Sequence, residues 1–238
     1  MRLPVIAEIY AAAGFDFIMI DNEHTAISIS ETVEIMRVAR LCNIAPFVRI
    51  PEIEYSSINR MLDHGAQGII APRVTKRDQV IDLIDIMRYP PDGSRGFGPS
   101  GSCTGYCNLL DIDGKEFVGR TNSSIMLVVM IESESAVNDI DDIISVPGVD
   151  IVLVGPNDLS LTLGCPCQIY DERMVSLIYE VIEKSKKHGI ASGCAGYDVD
   201  GFLKWINAGM QFFWVASEVG MILSQGRQIV KNLRGSDI

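Results

Sequence analysis

Residues 17–24 read FIMIDNEH: four apolar residues lead directly into Asp21, Glu23 and His24, one of three histidines in the chain. An apolar run without alternating polar residues is typical of a strand covered on both faces, as the strands of parallel sheets are. The stretch therefore predicts a buried parallel strand whose carboxyl end carries a cluster of titratable groups.

Similar apolar runs recur along the chain, separated by amphipathic helical segments. One segment opens with Ser28 and Glu31 in the spacing of a capping box, and another ends in Lys187, His188 and Gly189, a helix-stop pattern. This alternation predicts an α/β fold and favours a (β/α)8 TIM barrel, with a doubly wound open sheet as the alternative. No G-x-G-x-x-G motif follows the first strand, which weakens the dinucleotide-binding form of that alternative. The predicted strands are 17–20, 46–50, 68–72, 125–131, 151–155, 191–196 and 212–216.

This strand count is one short of a barrel. We interpret residues 1–238 as a single TIM-barrel catalytic domain whose first strand is missing from this chain, because the sequence opens in a helix-like segment, LPVIAEIYAAAG (3–14). A barrel must close its sheet. We therefore expect roughly 10–25 further residues before Met1, with a strand that pairs with both open edges.

Composition limits the partners. A net charge of −11 argues against nucleic acid, whose phosphates require an excess of Lys and Arg. No uninterrupted apolar run reaches about 18 residues and no signal-peptide pattern is found, so we expect no membrane span and a cytoplasmic protein. The six cysteines lack the paired spacing of a zinc site, which predicts reduced thiols.

Charged residues also follow the other predicted strands, namely Arg49, Arg73, Glu132 and Asp158. In a barrel the carboxyl ends of the strands converge on one face, where active sites lie. Glu132 and Asp158 offer the hard oxygen ligands that Mg²⁺ or Mn²⁺ prefers. Histidine is the residue type most often used as a general base, and we predict that role for His24. Arg49 offers a rigid set of donors for a carboxylate or a developing oxyanion.

Two further features predict function. Asp63 stands at a predicted helix end, just before Gly65, where an acid opposes the helix dipole. A local rule broken in this way is typical of functional sites, and we predict that Asp63 orients the imidazole of His24. The long irregular segment between residues 90 and 119 is rich in Gly and Ser and predicts a mobile lid.

Together these motifs resemble the HpcH/HpaI aldolase family, the class II pyruvate aldolases. The resemblance extends from about Pro4 to the C terminus, and it implies a metal-dependent (β/α)8 barrel that forms or cleaves a carbon–carbon bond next to pyruvate. It rests on AGFDFIMIDNEH (13–24), VRI (48–50), MLDHGAQGIIAPRV (61–74), RYPPDGSRGFG (88–98), MIES (130–133) and VDIVLVGPNDLSLTLG (149–164).

The resemblance implies a role for each site residue. Glu132 and Asp158 match the metal ligands of the family. Arg49 matches its pyruvate-binding arginine, and His24 and Asp63 match its catalytic dyad.

Further roles follow from the same resemblance. Glu23 would belong to the water shell of the metal, and Asp21 would lie near a subunit boundary. The backbone around Asn157 and Asp158 would hold the substrate carboxylate. The chain also departs from the family, because Met130 stands where members usually carry a glutamine, two residues before the ligand glutamate.

The implied activity is that of a carbon–carbon lyase that acts on 4-hydroxy-2-oxo acids through a pyruvate enolate, with Mg²⁺ or Mn²⁺ as cofactor. One alternative is a condensing enzyme that joins acetyl-CoA and oxaloacetate, making citrate for siderophore assembly. Another is a non-catalytic barrel subunit. The expected partners are a small oxo-acid substrate and further copies of the chain, in a dimer-based homo-oligomer such as a hexamer. Its dimers would exchange the C-terminal helix, ILSQGRQIVKNL (222–233).

Overall fold

The sheet is built in chain order, because each strand pairs in parallel with the next one along the chain. The computed structural model describes residues 2–98, 101–106, 111, 113–196 and 198–235. Its seven strands all match predicted ones, with ends that differ by at most two residues. They are β1 (Phe17–Asp21), β2 (Ala45–Arg49), β3 (Gly68–Ala71), β4 (Met126–Ile131), β5 (Ile151–Val154), β6 (Ala191–Ala195) and β7 (Phe212–Trp214).

Helices connect the strands and cover the outside of the sheet. Ser28 and Glu31 form both halves of the predicted capping box, and the helix that ends at His188 is stopped by Gly189 at φ 70°. In the part of the chain that is described, no helix combines the length and apolar character needed to cross a bilayer. The helices are α1 (Val5–Ala12), α2 (Ile29–Leu41), α3 (Tyr55–Asp63), α4 (Arg77–Met87), α5 (Gly114–Ser124), α6 (Glu134–Asn138), α7 (Ile140–Ile144), α8 (Pro156–Thr162), α9 (Glu172–His188), α10 (Val199–Asn207) and α11 (Glu218–Arg234).

The strands bury side chains on both faces. In β4, Val129 and Ile131 belong to the core between sheet and helices, whereas Val128 and Met130 belong to the cluster that fills the barrel interior. Successive side chains of a strand point to opposite faces. Two buried faces therefore explain why β4 reads as one continuous apolar run.

Three phenylalanines fill the interior at the end where the strands begin. The ring centroids of Phe17, Phe47 and Phe212 lie 4.4–5.8 Å from one another. Gly68 makes room for this packing, because a Cβ atom there would lie 2.1 Å from the Phe47 ring. The aromatic cluster also joins β1 to β7, since Phe17 and Phe212 are the first residues of these two strands.

The barrel is nearly closed, with its opening between β1 and β7. No strand pairs with the outer edge of either one among the described residues. A cavity of about 1060 Å³ runs along both edges and reaches Asp16 and Gln211 at the start of the strands. The fold is thus an α/β TIM-like barrel, and the further strand expected at this opening stays a prediction.

Part of the segment predicted as a mobile lid is fixed in place. The side chain of Arg95 is fully buried, donates to Asp63 Oδ1 at 2.8 Å and stacks on the ring of Tyr89 at 4.5 Å. Further along, the carboxylate of Asp113 caps the start of α5. The lid prediction is therefore wrong for the stretch around Arg95 and for the first turns of α5. Residues 99–100, 107–110 and 112 of that segment lie outside the described residues.

The last helix, α11, has no buried residue. Five of its apolar side chains are 50–82% exposed: Val219, Ile222, Leu223, Ile229 and Leu233. A stable amphipathic helix normally buries its apolar face. The fold of one chain therefore leaves this face without a covering surface in the described part of the molecule.

Candidate active site

The charged strand ends predicted from the sequence meet in one place. Except for Glu23 and Arg73, they line the large cavity near the carboxyl ends of the strands, together with Met130 and Trp214. Parallel strand order explains this convergence, because all carboxyl ends face the same way. The predicted site residues in its wall are Asp21, His24, Arg49, Glu132, Asn157 and Asp158.

Arg49, the last residue of β2, is buried and held from several directions. Its Nε and Nη2 donate to the two carboxylate oxygens of Asp21 at 2.9 and 2.6 Å. Its Nη1 lies 3.4 Å from Glu23 Oε2, and its Cζ lies 4.9 Å from the centroid of the Trp214 ring. A bidentate pair fixes the plane of a guanidinium. Arg49 is therefore oriented by the protein alone and keeps further N–H donors for an anion.

Asp21 also shapes the turn that follows β1. Its Oδ1 accepts the backbone N–H groups of Glu23 and His24 at 3.0 and 3.2 Å. Burial alone would raise the pKa of this carboxyl, but the hydrogen bonds and charge of Arg49, with the two N–H donors, outweigh burial and lower the pKa. Asp21 is thus an ionised, fully engaged partner of Arg49.

Glu23 connects three basic groups. Its Oε2 lies 3.5 Å from His24 Nε2, and its Oε1 lies 3.4 Å from Arg73 Nε, in addition to the contact with Arg49. Glu23 is nearly buried, whereas the His24 side chain is 61% exposed and faces the cavity. An accessible imidazole beside a carboxylate is well suited to accept and return a proton.

Glu132 follows β4 and is buried with little positive charge around it. Its Oε1 accepts the backbone N–H of Arg73 at 2.5 Å, and Arg73 adopts a left-handed backbone with φ 54°. Burial raises the pKa of Glu132, the charges of Asp158 and Glu23 raise it further, and the Arg73 N–H and Arg49 offset this only in part. Among the described residues, therefore, no cation pairs with this carboxylate to offset its burial.

The residues around Glu132 fit a divalent cation. Asp158 lies in the first turn of α8, the helix that follows β5. Gly155, just before this helix, leaves room beside Glu132, because a Cβ atom at that position would lie only 2.7 Å from Glu132 Oε2. Two carboxylates suit an ion such as Mg²⁺ that keeps several waters. No cluster of three or more His, Cys, Asp or Glu side chains arranged for a metal occurs in the described ranges. The cysteines that the structure describes are free thiols, as predicted, and Cys107 lies outside them.

Asp63 has a different neighbour from the one predicted. Its Oδ1 accepts a hydrogen bond from Arg95 Nη2, and no hydrogen bond or ion pair joins it to His24 in the described part of one chain. His64 turns back onto its own helix, with Nδ1 2.8 Å from the Arg60 carbonyl oxygen. In one chain Asp63 thus ties the segment around Arg95 to the end of α3, and its action on His24 stays a prediction.

Comparison with known proteins identifies the family of the chain. A model of one protein family matches nearly the whole chain, residues 2–224. The chain belongs to the HpcH/HpaI aldolase/citrate lyase family. The resemblance found in the sequence is thereby confirmed, and the enzyme class is that of the class II aldolases, which are carbon–carbon lyases.

Individual family members match over almost their full length. A hydroxypyruvate/pyruvate aldolase from Roseobacter denitrificans is 32% identical over 94% of this chain and 86% of its own. The crystal structure of an HpcH/HpaI aldolase from Desulfitobacterium hafniense has a TM-score of 0.93 at 30% identity, covering 98% of this chain and 89% of that one. The crystal structure of citrate synthase SbnG has a TM-score of 0.86 at 32% identity, covering 99% and 92%.

Two contributors to this HpcH/HpaI-family site were not found from the sequence. The backbone N–H of Arg73 donates to Glu132 from a conformation with positive φ. Arginine is not a residue type that predicts a positive φ. Trp214 contacts Arg49 from the end of β7. Its alternation with Phe212 along β7 was the available signal, because residues two apart on a strand share a face.

Proposed function

We propose that the chain is a divalent-metal-dependent aldolase that forms or cleaves 4-hydroxy-2-oxo acids through a pyruvate enolate. The observation that carries the proposal is the presence, in one cavity, of a rigid cationic Arg49 and an uncompensated buried Glu132. An oxo acid needs cationic partners for its carboxylate and oxo oxygens, and an enolate needs its negative charge stabilised. Arg49 supplies one cation, and Glu132 with Asp158 can bind the other.

Each side chain has a defined task in this proposal. Glu132 and Asp158 would hold Mg²⁺ or Mn²⁺, which as a Lewis acid polarises the oxo group of the substrate. Arg49 donates hydrogen bonds to the oxygen that becomes negative when a C3 proton leaves. The backbone around Asn157 and Asp158 is the proposed seat of the substrate carboxylate, because both residues line the cavity with Glu132.

His24 is the proposed base that removes the proton from C3 of pyruvate. Glu23 Oε2, at 3.5 Å, stabilises the protonated imidazole. His24→Ala should lower turnover by about 10²–10⁴-fold. The free energy of unfolding should change by less than about 0.5 kcal/mol, because the ring is exposed. The control is His64→Ala, which removes an imidazole outside the cavity and should change neither quantity. Normal turnover in His24→Ala would remove the residue from this role.

The decisive test of the function is exchange of the pyruvate methyl protons with deuterated water, followed by NMR. With Mg²⁺ or Mn²⁺ present we expect enzyme-dependent exchange, because enolate formation is reversible before any aldehyde binds. Chelator and Glu132→Gln should each stop it. Exchange that continues at full rate in chelator would refute metal dependence, and no exchange under any condition would refute an aldolase.

The likeness to citrate synthase SbnG supports a second candidate function. A condensing enzyme would use the same cavity to join the acetyl unit of acetyl-CoA to oxaloacetate. Saturable release of free CoA thiol that requires oxaloacetate would favour it. Pyruvate methyl exchange without such release would favour the aldolase.

We also propose a homo-oligomer in which α11 of one chain packs on another. The exposed apolar face of α11 supports this, and so does a second exposed apolar set on α10: Val199, Leu203 and Ile206. Leu223→Glu should dissociate the assembly in light scattering, because it places a charge in the buried interface. Gln225→Glu adds the same charge two residues further on and should leave the assembly intact. A monomeric wild-type protein would contradict the proposal.

A further inference from the structure

We infer that Met130 and Trp214 form an apolar wall which selects 4-hydroxy-2-oxo acids whose carbons beyond the reacting bond carry apolar substituents rather than hydroxyl groups. The inference rests on the proposed function and assigns the substrate class within it. Its observations are the inward direction of the two side chains, the contact of Trp214 with Arg49, and the position of Met130 beside Glu132 in the wall of the cavity.

Trp214 turns into the barrel from the end of β7. Its neighbour Phe213 packs outward against Phe202, with ring centroids 5.3 Å apart, whereas Phe212 and Trp214 pack against the interior cluster. The indole lines the cavity and lies over the guanidinium of Arg49 at 4.9 Å. The face of Arg49 on that side is therefore covered by an aromatic ring, which stabilises the cation and excludes water from it.

Met130 reaches the same region from β4. It faces the interior, is 2% exposed and precedes Glu132 by two residues, so both side chains leave the strand on the same face. The ideal Cβ position at Gly155 lies 3.1 Å from Met130 Cε and 2.7 Å from Glu132 Oε2. The thioether methyl group thus lies beside the candidate metal ligand, in the wall of the same cavity.

The two sides of the cavity therefore differ in what they offer a substrate. The polar side, with Arg49, Glu132 and Asp158, can bind the carboxylate and oxo oxygens. The wall of Met130 and Trp214 offers a weak thioether acceptor and one indole N–H. A hydroxyl group placed against this wall loses hydrogen bonds to water and recovers few of them. Such a pocket disfavours an added hydroxyl by a modest factor, on the order of 10–100-fold.

The test compares two three-carbon aldehydes as acceptors for pyruvate: propanal, which has no hydroxyl group, and glyceraldehyde, which has two. The ratio of their kcat/KM values is measured in the wild type and in Met130→Gln, which keeps the chain length and adds an amide. Met126→Gln is the matched control, because it makes the same change at an exposed position on the same strand. The ratio of variant to wild-type preference cancels the different intrinsic reactivities of the two aldehydes.

We expect Met130→Gln to shift the preference toward glyceraldehyde by about 10-fold or more and Met126→Gln to leave it unchanged. An unchanged preference in Met130→Gln, or an equal shift in both variants, would overturn the inference.

A binding measurement gives a readout that does not depend on turnover. The chain has two tryptophans, and Trp205 is buried in α10, away from the cavity, so Trp205→Phe leaves Trp214 as the single indole. In that variant, pyruvate with Mn²⁺ should change the indole emission in a saturable way. No change in emission, while methyl-proton exchange proceeds, would overturn the inference and leave the proposed function standing. Absence of exchange itself would instead count against the proposed function.

Discussion

Two carboxylates in the wall of the same cavity, Asp21 and Glu132, have pKa values that move in opposite directions. Burial favours the protonated form of both. Asp21 binds Arg49 through two hydrogen bonds and its pKa falls, whereas Glu132 faces the charges of Asp158 and Glu23 and its pKa rises. On the β1–β2 side the carboxylate thus has its cation within the chain, whereas on the β4–β5 side no cation forms an ion pair with Glu132 among the described residues.

One half of the site is thus preformed within the chain, and the other half is the one that the proposed cation would complete. Arg49 is oriented before any substrate binds, so ordering it adds little to the free energy of binding. Around Glu132, the proposed cation would offset the repulsion from the charges of Asp158 and Glu23, which raises the pKa of this carboxyl. Substitutions on the two sides should therefore have opposite effects on stability.

The largest expected effect on stability comes from a substitution on the β1–β2 side of the cavity. Arg49→Ala leaves the carboxylate of Asp21 buried without its cation and removes one of the three basic groups around Glu23. Breaking a buried pair in this way costs roughly 3–5 kcal/mol of unfolding free energy. Chemical denaturation measures this loss. Arg37→Ala is the control, because its pair with Glu34 is about half exposed and should contribute little to stability. Equal losses of unfolding free energy in the two variants would refute the conclusion that Arg49 and its carboxylate partners form a preformed half of the site.

The strand ends of this site could be predicted from the sequence. Continuous apolar runs followed by charges located Asp21, Arg49, Glu132 and Asp158, because a parallel sheet places all such ends together. The partner of Asp63 could not be predicted, since Arg95 lies 32 residues away in a segment whose composition is typical of a loop. Composition indicates where helices and strands are absent, and it does not indicate which irregular segments are fixed by buried contacts.

The left-handed backbone of Arg73 was unpredictable for a related reason. A positive φ costs a non-glycine residue about 1 kcal/mol or more, and the surrounding structure imposes it. Only the folded chain shows that this conformation aims an N–H at Glu132.

Substitution of Glu132, on the β4–β5 side of the cavity, should change the free energy of unfolding in the opposite direction to Arg49→Ala. In chelator, Glu132→Gln should raise stability by about 1 kcal/mol, or 2–4 °C in Tm, because it removes a buried uncompensated charge. Added Mn²⁺ should stabilise the wild type and leave the variant unchanged. Glu134→Gln, an exposed position two residues further on, is the control and should behave as the wild type. A metal-free Glu132→Gln that is less stable than the wild type would contradict the account.

The sign of the pH dependence follows from the raised pKa of Glu132. A carboxyl whose pKa is higher in the folded chain binds its proton more tightly there, so its ionisation lowers stability. The difference in Tm between Glu132→Gln and the wild type should be near zero below the ordinary glutamate pKa, about 4.3. It should grow as the pH rises through the raised value, when measured in chelator.

The smallest expected effect concerns the backbone that positions Glu132. Arg73→Gly should be more stable than Arg73→Ala by about 1 kcal/mol, because glycine adopts a positive φ without steric cost. The order of stability of the glycine and alanine variants should reverse at Arg37 inside α2, because glycine in a helix interior is about 1 kcal/mol less stable than alanine. Denaturation midpoints of the four variants measure both differences. The same order at both positions would show that the left-handed backbone of Arg73 is not required.

The most direct test of the account is titration of Mn²⁺ into the metal-free protein, followed by electron paramagnetic resonance of the unbound ion. The account predicts saturable binding by the wild type and by Glu134→Gln, and loss of that binding in Glu132→Gln and Asp158→Asn. Saturable binding that survives both Glu132→Gln and Asp158→Asn, or a wild type that binds no Mn²⁺, would contradict it.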